Sequence, residues 1–364
     1  MKQPCSDPAP VPQLSWGLIS QYRNALFGLS ILLIMWFHSG TFRGFSHHPA
    51  IVAFLPTGRW IHYGSVGVDL FLFLSGMGLY FAMCKRPTLP RFYLKRLKRI
   101  LIPYIIIGGA YWVYRDIALR DNLPRFWEDF SLMSYYTKGM ATFWYIAAIL
   151  PLYLLAPLFL RLFRTRFRTP LLFALFFLSI GLSLYLGLYQ EDTYWHLEKG
   201  LNRIFIFVLG CYFGAIIQEK RPMSSGWLLF AILALSSRGL IYYLASLCPI
   251  QSIARLIVRQ WFTAGGFALA ILLSTLLALL RSRQFERFLG FFGALSLELY
   301  LSHLAVRNSV RVLCPDFKEW GLGTSLLVYL GILLTACLIS LLLHKGQTKL
   351  ESLFTHNEGS RETQ

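Results

Sequence analysis

Charge is scarce in this chain. Asp, Glu, Lys and Arg make up 14% of its residues, where a soluble globular domain carries about a quarter. Too few polar side chains are present to cover a water-facing surface. Acid is scarcer still, with 17 Asp+Glu against 35 Lys+Arg and a formal net charge of +18. The six cysteines (Cys5, Cys84, Cys211, Cys248, Cys314, Cys337) form no CxxC pair and have no His partner at ligand spacing, so neither a metal site nor a disulfide scaffold is expected. Strand-period alternation is missing, which argues against a β-barrel. The first 23 residues, with Pro4, Pro8, Pro10 and Pro12, lack the apolar core of a signal peptide and read as a short disordered lead-in. No internal repeat is visible.

Apolar residues are abundant instead. They make up 56% of the chain, and the mean hydropathy is +0.53. The expected class is an all-α integral membrane protein of about ten transmembrane helices. Apolar runs near the bilayer-spanning length of about 20 residues fall at 24–40, 64–84, 100–114, 142–160, 170–189, 200–217, 226–247, 260–280, 288–305 and 323–343. That divides the chain into a lead-in at 1–23, a membrane domain at 24–343 and a polar, loose tail at 344–364. Within the longest loop, 124–135 reads as an interfacial amphipathic helix.

Lys and Arg then set an orientation. Sixteen of the thirty-nine residues in linkers 85–99, 161–169, 218–225 and 281–287 are cations, and the alternate linkers hold most of the loop acids. The dense set is expected in the cytoplasm, and both termini with it. Positive charge of this kind is a topology signal and gives no reason to expect nucleic acid.

Ionisable residues inside spans are costly and are candidates for function. On this topology His38, Asp69, Arg203, Arg238, Glu298 and His303 gather toward the outer face, with Trp144 and Tyr145 opening the fourth span. Asp69 lies roughly 8 Å deep. Each has a plain alternative. His38 and His303 read equally as interfacial histidines bonded to carbonyls, and Asp69 as half of a structural ion pair, for instance with Arg203. Trp144 and Tyr145 suit an aromatic belt, and Ser75 and Gly76 suit close helix packing.

Five blocks resemble one family, the bacterial membrane acyltransferase family 3. GSVGVDLFLFLSGMGLYF at 64–81 resembles its GVD-x-F-F-x-L-SG signature, and GLSILLIMWFHSG at 28–40 its first helix ending in histidine. RFYLKRLKRILIPY at 91–104 is similar to its basic cytoplasmic segment, FWYIAAILPLYLLAP at 143–157 to its W-Y-L helix, and LSLELYLSH at 295–303 to its late S-x-x-x-Y-L-x-H helix. One departure is Phe27, which stands where the family often has a cation; Arg23 lies one turn earlier and can snorkel to a similar place.

The resemblance implies an acyl-CoA donor, most often acetyl-CoA, and a hydroxyl acceptor on a surface glycan, glycolipid or lipid-linked intermediate. The setting it implies is a bacterial inner membrane. Arg91, Lys95, Arg96 and Arg99 are then expected to hold the donor's phosphates. His38 is the expected general base, with Asp69 fixing its tautomer if within reach. Trp144, Tyr145, Arg203, Glu298 and His303 are the expected acceptor-side residues. Direct transfer and an acyl-enzyme are both open. The competing reading is a transporter or flippase with a polar path through the membrane; a Schiff-base sensor ranks behind it, because no span holds a lysine. Cys248 and Cys314 share the outer face and are either a disulfide or two unrelated thiols.

Overall fold

The computed structural model describes residues 14–42 and 63–361. Throughout these residues the chain is helical, and the one strand-like pairing is an isolated bridge between Ser15 and Pro222. Seven helices are long and apolar enough to cross a membrane: Val66–Cys84, Leu89–Ala118, Trp144–Leu162, Arg168–Tyr189, Glu191–Gln218, Gln251–Leu280 and Leu322–Lys349. Two bent pairs, Gly226–Ser236 with Arg238–Ser246 and Arg283–Ala294 with Ser296–Leu313, bring the candidates to nine. Arg23–Ser39, which holds the first expected run, is an apolar helix of only 17 residues. The chain is a multi-pass membrane protein. Arg168–Tyr189 lies at its rim, with Phe173, Phe177, Leu178, Leu182 and Tyr185 exposed to what lipid must solvate.

Several expectations change. Residues 1–13 lie outside the described residues, Cys5 among them, but the rest of the lead-in is ordered. Trp16 is buried against Phe213, Trp227 and Phe267, and Gly17–Gln21 is helical. An apolar Trp-Gly-Leu-Ile segment finds a partner surface that polarity alone does not reveal. The expected loose tail is instead the continuation of one helix, Leu322–Arg361. The expected interfacial helix is two short ones, Leu123–Phe130 and Met133–Lys138, split at Leu132, whose φ is +67°. The ninth run bends by 63° at Leu295 and the seventh by 47° at Ser237. Cys248 and Cys314 are separate thiols.

Helices here come together through glycine. A Cβ on Gly28 would strike the Leu289 carbonyl, and one on Gly293 would strike the Asn24 carbonyl. The same reciprocal contact joins Gly76 to the Phe207 carbonyl and Gly210 to the Phe73 carbonyl. Small residues let membrane helices approach backbone to backbone, so Gly76 is a packing residue. Neither pair can absorb a side chain, because backbone is what it would meet. Gly210→Leu is expected to abolish recovery of monodisperse protein from detergent. Gly181→Leu is the control: nothing lies within 4 Å of a Cβ there, and its elution profile should match wild type.

Candidate active site

Arg23–Ser39 ends at Ser39, which places His38 in its last turn. There His38 meets Ser296–Leu313. The Nδ1 of His38 lies 2.8 Å from Nε2 of His303, and Nδ1 of His303 lies 2.6 Å from the Leu299 carbonyl oxygen. A carbonyl only accepts, so His303 must donate from Nδ1, which leaves its Nε2 bare when the ring is neutral. His38 must then donate from Nδ1 to His303. The remaining nitrogen of His38, Nε2, is left with a free lone pair. A backbone carbonyl thereby sets the tautomers of two rings in series. His303 is fully buried at 1% exposure, whereas His38 lines a cavity of about 680 Å³.

Asp69 is not the partner of His38. Its Oδ2 accepts from Nε of Arg203 at 3.0 Å, and both side chains are buried. Arg203 sits at the break between Glu191–Leu201 and Ile204–Gln218, where its guanidinium also donates to Ser65 Oγ and the Lys199 carbonyl. Gly266 packs against Asp69 so closely that a Cβ would meet the carboxylate's own Cβ at 2.6 Å. The ion-pair reading of Asp69 therefore describes its geometry, and the orienting group on His38 is a second histidine.

The large cavity is lined by Trp144, whose ring lies 5.3 Å from the Arg203 guanidinium carbon. It is also lined by Arg115, Arg203 and Arg259, each held from behind by acid. Arg259 pairs with Glu198 through two 2.8 Å bonds, and Arg115 with Asp116 and Asp129. Arg115 and Arg259 carry no signal in the sequence. Both stand at span ends, where a cation reads as topology.

A second cavity, of about 260 Å³, is lined by Arg23, Arg96, Arg99, Phe27, Ser75, Tyr145 and Tyr153 among others. It gathers the first-helix cation and the basic segment, so Arg23 shares a cavity with the Phe27 position one turn away. Arg91 and Lys95 are not part of it; they lie exposed, nearer the start of Leu89–Pro103. Tyr145 belongs to this cavity, on the opposite side from Trp144, because successive helical residues point about 100° apart. Glu298 also lies on this side, contrary to its expected grouping with acceptor residues. It is fully buried and pairs with Arg99 at 2.8 Å, beside the bend at which the Ala294 carbonyl accepts a further bond from Arg99. His303, expected to touch acceptor, is screened from the large cavity by His38.

Ile34, Val68 and Tyr300 line the large cavity, Phe71 and Tyr145 the small one, and the five together surround a void of about 10 Å³. The two cavities thus approach each other across an aromatic throat, with the Tyr145 amide donating to the Tyr300 hydroxyl at 3.4 Å.

A family model described as an acyltransferase domain, that of acyltransferase family 3, matches residues 24–345. The chain belongs to this family. It is a membrane acyltransferase. Neither a curated protein nor a solved structure matches it. The matched residues of the acyltransferase include His38, the throat and the Arg99–Glu298 pair, while Arg23 lies just outside them.

Proposed function

We propose that the acyltransferase moves an acyl group, acetyl in the simplest case, from cytoplasmic acyl-CoA to a hydroxyl of a cell-surface glycan, glycolipid or lipid-linked intermediate. The observation that carries this reading is the free Nε2 of His38, set by the Leu299–His303–His38 series at the edge of the large cavity. A neutral imidazole with one nitrogen already engaged is suited to take a hydroxyl proton. The dense basic linkers are taken as cytoplasmic, which puts the small cavity on the donor side. The donor's phosphates lie at Arg96 and Arg23, and its thin thioester arm reaches through the throat once Tyr145 or Phe71 turns aside. The acceptor hydroxyl enters the large cavity and loses its proton to His38. Its oxygen forms the new C–O bond as the thioester C–S bond breaks, and the CoA thiolate takes up a proton. Transfer without an acyl-enzyme is favoured because, among the described residues, no Ser or Cys is bonded to either histidine. Family membership supports this reading over the transporter alternative.

Arg96 and Arg99, the two small-cavity arginines of the basic segment, should separate in a CoA titration of protein in nanodiscs. Arg96 makes no ion pair among the described residues, so Arg96→Ala is expected to weaken CoA binding by on the order of 1–3 kcal/mol, with the melting temperature unchanged. Arg99→Ala additionally strands the buried Glu298 carboxylate, so its melting temperature should fall too. Unchanged CoA affinity in both variants would leave the basic segment as a topology signal and move the donor elsewhere.

A further inference from the structure

The lining of the large cavity holds eight cations and, among the described residues, no carboxylate. Five of the cations have acid behind them: Arg115, Arg120, Arg125, Arg203 and Arg259 share Asp69, Asp116, Asp129 and Glu198. Arg307, Arg311 and Lys199 make no ion pair among the described residues. Arg307 is half-buried, and its Nε and Nη2 both donate to the amide oxygen of Asn308, at 3.2 and 2.9 Å. Asn308 is anchored in turn on the Thr142 hydroxyl at 3.4 Å. A neutral amide thus holds the guanidinium in place without satisfying its charge. Arg307 stands one helical turn beyond His303 and lines the same cavity as His38. Arg311, a further turn along, lies over the Phe317 ring at 5.1 Å. The segment between the described stretches, 43–62, contains no Asp or Glu that could neutralise them.

A desolvated cation without counter-charge is expensive; Arg307 is half-buried, and half-buried Lys199 and exposed Arg311 add further unpaired positive charge to the same lining. A neutral sugar gives them nothing. A carboxylate brings one charge and two oxygens, whereas a phosphate brings one charge as a diester and up to two as a monoester, on oxygens spaced for the guanidinium fork. We infer that the acceptor is a phosphate-bearing molecule, with its phosphate on Arg307 and Arg311 and its reacting hydroxyl beside His38. The inference rests on the acyltransferase reading only in calling this ligand the acceptor. A phosphorylated glycan and a phospholipid headgroup share the chemistry.

Calorimetric titration of the full chain in phosphatidylcholine nanodiscs, with CoA in excess to fill the donor side, tests it. Inorganic pyrophosphate and glucose 1-phosphate should bind, and glucose should not. Arg307→Gln should weaken both phosphates roughly tenfold or more, Arg311→Gln less, with CoA affinity unchanged in each. If Arg307→Gln does not fold, the exposed Arg311→Gln and competition between pyrophosphate and glucose 1-phosphate on wild type carry the test. Replacing part of the phosphatidylcholine with phosphatidylglycerol distinguishes the sources. Loss of glucose 1-phosphate binding then supports a lipid phosphate, and its persistence supports a glycan phosphate. Three results overturn the proposal: no phosphate binding, glucose binding as well as its phosphate, or a loss of CoA affinity in Arg307→Gln, which would make these cations the donor's. A chain that binds phosphates through Arg307 but never CoA would keep this site and sink the donor reading instead.

Discussion

His38→Ala is expected to reduce acyl transfer by about 10²–10⁴-fold, the usual worth of a positioned general base, while the protein still folds and inserts. His38 ends its helix at the cavity edge and is not wedged into the core, so its removal should cost little packing. In the proposed reaction His303 acts through His38, to whose Nδ1 it is bonded. His303→Phe should lower kcat by a smaller factor with KM for acetyl-CoA unchanged, because the ring of His38 loses the acceptor that holds its tautomer. His303→Gln keeps an acceptor oxygen and should recover part of that loss. Transfer of radiolabel from acetyl-CoA in isolated membranes reads all three. Substantial activity in His38→Ala would remove it as the base, and a His303→Gln variant no better than His303→Phe would remove the series of tautomers.

The second large effect is on folding. Asp69→Ala strands the Arg203 guanidinium in a site where both partners are almost fully buried. Breaking such a pair costs about 3–5 kcal/mol, whereas replacing both members with apolar side chains is often neutral. Asp69→Ala and Arg203→Ala should therefore each lose most of the folded protein in detergent, and the double change Asp69→Leu with Arg203→Met should recover much of it. Fluorescence-detected size-exclusion chromatography would show this. Should Asp69→Asn elute and melt like wild type while losing only transfer, Asp69 acts on the chemistry and the ion-pair account fails.

These two pairs mark how far the sequence can be read. A carboxylate between Val68 and Leu70 demands a partner wherever the helix lies, and Arg203 was nameable because few buried cations are available to it. The acceptor that constrains His38 is not legible, since His303 is 265 residues away and either histidine alone suits an interface. The pairing of Glu298 with Arg99 is not legible either, because it depends on the bend at Leu295. Gly293 and Ser296 flank Leu295, but small residues are common in membrane helices and do not by themselves announce a 63° turn. Trp144 and Tyr145 read as one unit, yet adjacent helical positions face different cavities. Arg115, Arg259 and Arg307 sit where spans meet loops, and a topology count absorbs such cations before their burial can be known. The family blocks carried the identification because they record spacing along single helices, which sequence preserves. Contacts between helices are what it does not display.

The central claim is that this chain places an acyl ester on an envelope hydroxyl. Mass spectrometry of base-labile esters on the glycans and lipids of the native cells, compared with the same cells lacking the protein, tests it most directly. One class of ester should be present in the first and missing from the second, on a phosphate-bearing acceptor, and should return with the wild-type chain but not with His38→Ala. An identical ester inventory in all of these cells would contradict the account.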